Sequence, residues 1–411
     1  MSNNLFVGID ISSSSNVAVL LDDAGQRIGK TLSFANNYEG AESFIASLVQ
    51  IAKPLLPNTI SIGFEATGIY SWQFYIFLSS HPLLIEFNPK LYQFNPKQIS
   101  NFKKAYTDLS KTDNIDAFII ADKLRFGRLP APATVDYFYF SLQCLTRRRF
   151  HLIESIVSEK TRFLSTLFLK FSNYSKDTPF SDIFGKASSA VITEFHSPEQ
   201  IVSMPIEKLT AFIVEKGKNR FPSPIDIAQE LQAIAKLSYR LPAQLKQSIN
   251  FILASSLNTI RLLESQVKET DKTIEQEIKP IKHTLLSVDG LGPVLAAGII
   301  AEIGDISRFH DHAALAKFAG LWWKTHQSGN FEAQETRLAK SGNKYLRYYL
   351  VEAANCLILH NPVFKAYYAK KYAEVTKHQH KRALVLSARK AVRLIFSLLR
   401  SKKIYELPKT S

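Results

Sequence analysis

The 411-residue chain holds little sulfur: two cysteines, Cys144 and Cys356, and two methionines. Cysteines this far apart, with no ligand pattern beside them, exclude a disulfide framework and a zinc site, so both are expected as small buried side chains. No apolar run approaches the roughly 20 residues that a membrane span needs, and the opening MSNNLFVGID has no signal-peptide layout. A soluble cytoplasmic protein without a membrane partner is expected. Acidic residues are in deficit, 36 Asp and Glu against 51 Lys and Arg, for a formal charge of +15. That balance favours a polyanion, with nucleic acid ahead of an anionic membrane surface. Apolar residues are not scarce: at 46% hydrophobic the chain can fill two or three cores, which excludes disorder as its main state.

Through the first ~130 residues strand-like and helix-like patterns alternate. FVGIDIS (6–12), NVAVLLD (16–22) and RIGKTLSFA (27–35) read as successive strands, with turn chemistry at DDAG (22–25). Helical spacing over 39–52 follows, then a buried strand TISIGFE (59–65), a helix over 70–79, a strand over 83–87 and a helix over 112–126. The order βββαβαβα is RNase H-like, and it is also the skeleton of actin-like ATPase halves, so topology alone leaves a nuclease and an ATPase standing. An ATPase needs a second acidic glycine loop, and VDGLG (288–292) lacks the strand that such a loop requires.

From about residue 140 the chain turns basic and helical, with an amphipathic arm over 145–171. Residues 172–224, rich in Ser, Pro and Phe, carry no assignment beyond loops and short helices. Leu253, Ile260, Val267, Ile274 and Ile281 recur every seven residues, with Ile249, Leu263 and Thr270 at companion positions. This is a coiled-coil signal; an intramolecular helical hairpin would satisfy the same stripe, and the reading leans to dimerisation. The expected organisation is α/β plus α: an RNase H-like domain (1–135), a helical coiled-coil connector (136–280) with an unassigned insert near 172–240, and a mainly helical C-terminal domain (281–411).

Four carboxylates stand at telling positions: Asp10 in the first strand, Glu65 ending the fourth, and Asp113 and Asp116 opening the last helix of the α/β region. If the first and fourth strands are neighbours, a helix beside them aims i and i+3 carboxylates at the same point. Such a cluster calls for hard cations, Mg2+ or Mn2+, suited to phosphodiester cleavage. The alternative is local: Asp10 at a strand turn, and Asp113 and Asp116 favouring a helix N-terminus.

GIDISSSSNVAVLLDDAG, GFEATGIY, NPKLYQF and KTDNIDA together resemble the N-terminal domain of the DEDD transposases of bacterial insertion sequences. The resemblance implies a RuvC-like fold, kinship with Piv DNA invertases and with recombinases guided by a noncoding bridge RNA, and places Asp10, Glu65, Asp113 and Asp116 at the DEDD positions. Farther on, AGLWWKTHQSGNFEAQETRLAKSGNKYLRYYLVEAA (319–354) is similar to the C-terminal domain of that family. By that match Ser328 takes the place of the serine that forms a covalent phosphoserine link to DNA, in sites assembled within a homo-oligomer, a dimer or tetramer. The sequence departs from the family pattern at Asn330 and at Trp322-Trp323. Ser341 is a rival serine whose place at a helix start suits an N-cap. The resemblance covers roughly 5–170 and 245–405.

SVDGLGPVLAAGIIAEIGD (287–305) reads as an apolar helix interrupted at GLG and resumed at Pro293, which resembles a helix-hairpin-helix that grips phosphates without reading sequence; an ordinary helical turn is the alternative. From residue 331 onward, 17 Lys and Arg face five acidic residues. Lys340, Lys344, Arg347, Arg389 and Arg393 are the expected phosphate contacts, the alternative being a solvated basic face. Phosphate contact carries no sequence information, so DNA ends and target would be specified elsewhere, and the resemblance implies a guide RNA for that task. Rival functions are a structure-specific metal nuclease acting without a covalent intermediate, the actin-like ATPase, and a non-catalytic nucleic-acid-binding protein.

Overall fold

The computed structural model describes residues 3–407 except 66–69, 107–111, 130–131, 133–135, 175, 324–326, 329–330, 333–337 and 340, with backbone alone at 327, 328, 331 and 332. These residues divide into two units, 1–137 and 138–411.

In the first unit β1 (Asn4–Ile11) is the central strand, its side chains buried on both faces. β2 (Ser15–Leu21) and β3 (Leu32–Ala35) continue antiparallel from it. After α1 (Tyr38–Leu55), β4 (Thr59–Glu65) returns parallel on the other side of β1. α2 (Tyr70–Ser80) and α3 (Pro82–Ile85) precede β5 (Lys90–Phe94), which is parallel to β4; α4 (Pro96–Lys103) and α5 (Asp113–Phe126) complete the unit. The sheet is mixed, in the order β3-β2-β1-β4-β5, so the first and fourth strands are neighbours. Two expectations fail locally. The strand expected at 83–87 is a helical turn, because Pro82 at its first position favours helix, and the strand falls instead on KLYQF. Arg27 makes only an isolated bridge to Leu21, and β3 is confined to 32–35.

In the second unit α6 (Tyr137–Lys170) leads into α7 (Lys186–Glu194), α8 (Pro198–Ser203), α9 (Ile206–Gly217) and α10 (Pro224–Leu237). The long α11 (Ala243–Glu277) then runs back antiparallel along α6. Leu142 shares a core with Ile274, Leu152 and Ile156 with Val267, and Phe163 and Leu167 with Ile260 and Leu253. Arg149 pairs with Asp271 at 2.5 Å and Lys160 with Glu264 at 3.1 Å in the same sense. The heptad stripe is thus buried against α6 of the same chain, as the helical-hairpin alternative expects, and Ile281 lies past the helix end. The segment left unassigned by sequence packs as short helices on the far ends of α6 and α11.

The remainder comprises α12 (Pro293–Ile303), α13 (His312–Ala319), a hairpin of β6 (Gln327–Ser328) and β7 (Phe331–Glu332), α14 (Lys344–His360), α15 (Pro362–Ala373) and the basic α16 (Gln379–Ser401). α12, α14 and α16 share one apolar core. Neither cysteine is buried: Cys144 on α6 is exposed and Cys356 on α14 half-buried, because each falls beside rather than on its helix's buried stripe.

Candidate functional site

The parallel register pairs Ile9 of β1 with Phe64 of β4, so Asp10 and Glu65 are the next residues at corresponding ends of neighbouring strands. α5 lies directly on β1 at Gly8, where a Cβ would collide with the Ala117 carbonyl oxygen and the Ala121 nitrogen. A glycine is therefore required two residues before Asp10 for the helix to approach this closely. Thr112 caps α5, its hydroxyl accepting from the Ile115 N–H at 3.3 Å, and so starts the helix with Asp113 and Asp116 in its first turn.

The consequence is electrostatic. Burial, then the charges of Asp113 and Asp116, hold the Asp10 carboxyl above its ordinary value. Burial, then Asp10 and Asp116, push Glu65 up to about 7. Neighbouring carboxylates thus oppose the ionisation of Asp10 and Glu65. Lys103 at the end of α4 answers part of that charge: its Nζ lies 2.5 Å from Asp116 Oδ1 and favours the ionised forms of Asp10 and Glu65. No spacing in the sequence singled out Lys103. The donors suit a hard divalent cation in type, although among the described residues no group of three or more His, Cys, Asp or Glu is gathered tightly enough to hold a metal ion.

Ser328 lies in the second unit, in β6, and pairs with Phe331 of β7; Gly329 and Asn330 connect the two strands and lie outside the described residues, as does the Ser328 side chain. A bridge between Trp323 and Leu338, and a 2.9 Å bond from the Ala339 N–H to the Trp322 carbonyl, form the base of the hairpin. The chain then enters α14 through Gly342, at φ +155°, where a Cβ would strike the Phe318 oxygen and Gly320 nitrogen. Asn343, rather than Ser341, is the N-cap, its Oδ1 accepting from Tyr345 and Leu346 at 3.0 Å each. The Asn343 amide also donates at 2.7 Å to Glu302, whose buried carboxylate takes a two-pronged grip from Arg147 at 2.7 and 2.9 Å. Glu302 was legible in retrospect as the lone charge in the apolar helix PVLAAGIIAEI.

Of the expected phosphate contacts, Lys340 lies outside the described residues. Lys344 is exposed, its Nζ 4.9 Å from the Tyr345 ring centre. Arg347, one turn on, is half-buried and donates to the Ala319 carbonyl at 3.2 Å. On α16, Arg389 is half-buried with a nitrogen 3.4 Å from His312 Nδ1, while Arg393 is exposed. The GLG turn is followed by α12, as expected, but the piece before it (Leu285–Ser287) is a single 3₁₀ turn rather than an apolar helix.

Residues 7–171 match a family model of the DEDD IS110 type, described as transposase, and residues 282–369 match one described as the transposase IS116/IS110/IS902 family. The chain is 23% identical to an insertion element IS116 protein of Streptomyces clavuligerus over 98% of this chain and 96% of that one. It is 30% identical to an insertion element IS110 protein of Streptomyces coelicolor over 38% of this chain and 37% of the relative. The transposase for insertion sequence element IS1111A of Coxiella burnetii is 28% identical over 46% of this chain and 50% of its own. With both family models matched in order, over more than half its length, the chain belongs to the IS116/IS110/IS902 family of transposases, enzymes that act on the DNA of insertion elements.

Proposed function

We propose that this transposase cuts and rejoins DNA at element ends and target, with Asp10, Glu65, Asp113 and Asp116 binding Mg2+ or Mn2+ and Ser328 acting as nucleophile. The observation that carries the metal reading is the placement of Asp10 and Glu65 at corresponding ends of neighbouring strands, with α5 packed on β1 and opening on Asp113 and Asp116, where burial and neighbouring carboxylates raise both Asp10 and Glu65. A divalent ion bound there would polarise a phosphodiester and stabilise a leaving oxygen. The strand order, antiparallel through β3-β2-β1 and parallel through β1-β4-β5, supports an RNase H-like reading of a nuclease domain over 1–135. The helical connector over 136–280 and a C-terminal domain over 281–411 complete the proposed division.

In the C-terminal domain the Ser328 Oγ attacks phosphorus; the new Oγ–P bond replaces a P–O bond of the DNA and leaves a free hydroxyl, so reversal at another end rejoins the strand without loss of bond energy. Lys340, Lys344, Arg347, Arg389 and Arg393 hold phosphates, and the GLG turn before α12 offers backbone N–H groups in the manner of a helix-hairpin-helix. These contacts are blind to sequence, which leaves target choice to a noncoding guide RNA. A homo-oligomer is part of this reading, by resemblance to the family.

The test is to incubate the protein with element-end DNA, the RNA transcribed from those ends and Mg2+, and to look for a denaturation-resistant protein–DNA adduct. An adduct that is present in wild type and lost in both Ser328→Ala and Asp10→Ala is expected. Cleaved ends that persist in Ser328→Ala without an adduct would instead identify a metal nuclease.

A further inference from the structure

Three polar side chains outside the sites above form a continuous chain on the surface of the second unit. Glu154 Oε2 lies 3.2 Å from His151 Nδ1, and His151 Nε2 lies 3.1 Å from the Tyr345 hydroxyl. A carboxylate that orients an imidazole, which in turn engages a hydroxyl, is the arrangement by which proteins move protons to and from a reacting group. Packing does not require it. α6 is already held on α14 by Phe150, edge-on to Tyr345 at 5.1 Å and to Tyr348 at 4.9 Å. The His151 and Glu154 side chains remain about half exposed, at 48% and 55%.

Its surroundings suit a phosphodiester. Lys344 Nζ lies 4.9 Å from the Tyr345 ring centre, and the Arg147 guanidinium, itself paired with Glu302, packs on the same ring at 4.7 Å, so Lys344 is the cation beside the phenol that Glu302 does not neutralise. His151 and Glu154 also line a groove of about 600 Å³ along α6 and α11, with Arg162 farther along it. Tyr345 sits in the first turn of α14, just beyond the Gly342-Asn343 link from the hairpin that bears Ser328.

We propose that Glu154, His151 and Tyr345 form a proton relay for strand cleavage, with the Tyr345 hydroxyl as the general acid toward the leaving oxygen of the phosphodiester. As the P–O bond breaks, its electron pair stays on the leaving oxygen and takes up the phenolic proton. The proton on His151 Nε2 replaces it on Tyr345, and the imidazole, neutral after the transfer, keeps its Nδ1–H on Glu154; the proton shed by the attacking hydroxyl passes to water, from which the imidazole is reprotonated. Rejoining runs the same transfers backward. The inference rests on the reading that this unit engages the scissile phosphodiester.

The test uses full-length protein with element-end DNA, the RNA transcribed from those ends and Mg2+, and compares ordinary substrate with substrates carrying sulfur at the 5′-bridging or the 3′-bridging position. A sulfur leaving group needs no proton. Tyr345→Phe and His151→Gln should slow cleavage of ordinary DNA by about 10²-fold or more, and the loss should shrink below about tenfold on one of the sulfur substrates. Equal losses on oxygen and sulfur, or no loss on either, would overturn the relay. Ser328→Ala run alongside reports separately on the nucleophile, since the sulfur-to-oxygen ratio judges the relay whichever group attacks. If wild type cleaves neither substrate, the relay and the cleavage reading fall together.

Discussion

The Asn343 amide donates at 2.7 Å to the buried carboxylate of Glu302 while its own Oδ1 caps α14, so one side chain ties the exit of the Ser328 hairpin to the core. Removing it discards an N-cap and a hydrogen bond to a charge. Asn343→Ala is expected to cost about 2–4 kcal/mol. Glu302→Ala, which strands the Arg147 guanidinium, should cost about 3–5 kcal/mol. Urea denaturation checks both: midpoints should fall with unchanged slopes. A shift under about 0.5 kcal/mol in both variants would mean that water replaces the network without loss.

Glu65 supplies a pH signature. Its carboxyl titrates near 7 in the fold, raised from an ordinary 4.5 by burial and then by Asp10 and Asp116. The folded state therefore favours the protonated form, a contribution complete below 4.5 and lost as pH rises through about 7. Without metal, the melting temperature should decline between pH 5 and 8, and Glu65→Gln should flatten that decline. Mg2+ should raise the melting temperature more at pH 8 than at pH 5.5, because ligation requires the ionised carboxylates. Equal Mg2+ effects at both pH values would argue against ligation by this cluster.

Lys103 competes for the same charge. Its Nζ contacts Asp116 at 2.5 Å and favours the ionised forms of Asp10 and Glu65. Lys103→Met should lower the metal-free melting temperature at pH 8 and shift the Mg2+ midpoint to lower concentration, since removing a resident cation deepens the negative potential. A higher Mg2+ midpoint would show instead that the lysine organises the carboxylates.

The sequence placed β1, β2 and β4, with Asp10 and Glu65 on strands and Asp113 and Asp116 at a helix start, because these depend on local patterns: apolar strands, a Thr112 cap, a helix that opens on Asp113. It carried Lys103 and Glu302 poorly, since their partners, Asp116 on another helix and Arg147 on α6, become visible only after packing. Pro82 turned an expected strand into a helical turn, a case of backbone chemistry outranking apolar content. The heptad stripe of α11 was read correctly as a seam, yet periodicity says nothing about whether the opposing helix comes from the same chain.

Gly8 sets how near α5 comes to β1. Gly8→Ala would drive a Cβ into the backbone of Ala117 and Ala121, which no rotamer change can relieve. A destabilisation of about 3 kcal/mol or more is expected, together with displacement of Asp113 and Asp116 from Asp10. The second effect is separable from the first: in a variant that still folds at low temperature, the pH 5 to 8 decline in melting temperature should weaken as the carboxylates draw apart. A decline of unchanged steepness would mean that the helix adjusts elsewhere and keeps the cluster intact.

The antiparallel pairing of α6 with α11 can be tested through its charges. Arg149 Nε meets Asp271 at 2.5 Å, with side chains only 17% and 26% exposed, so the pair is shielded enough to matter. Arg149→Asp should destabilise the protein by about 2–4 kcal/mol, because it sets two carboxylates together in a partly buried seam. Adding Asp271→Arg should recover a large part of that loss by restoring opposite charges in reverse order. If the seam is intramolecular, the recovery is independent of protein concentration. Recovery that grows with concentration would mean that α11 pairs with α6 of another copy, exchanging the same hairpin between chains.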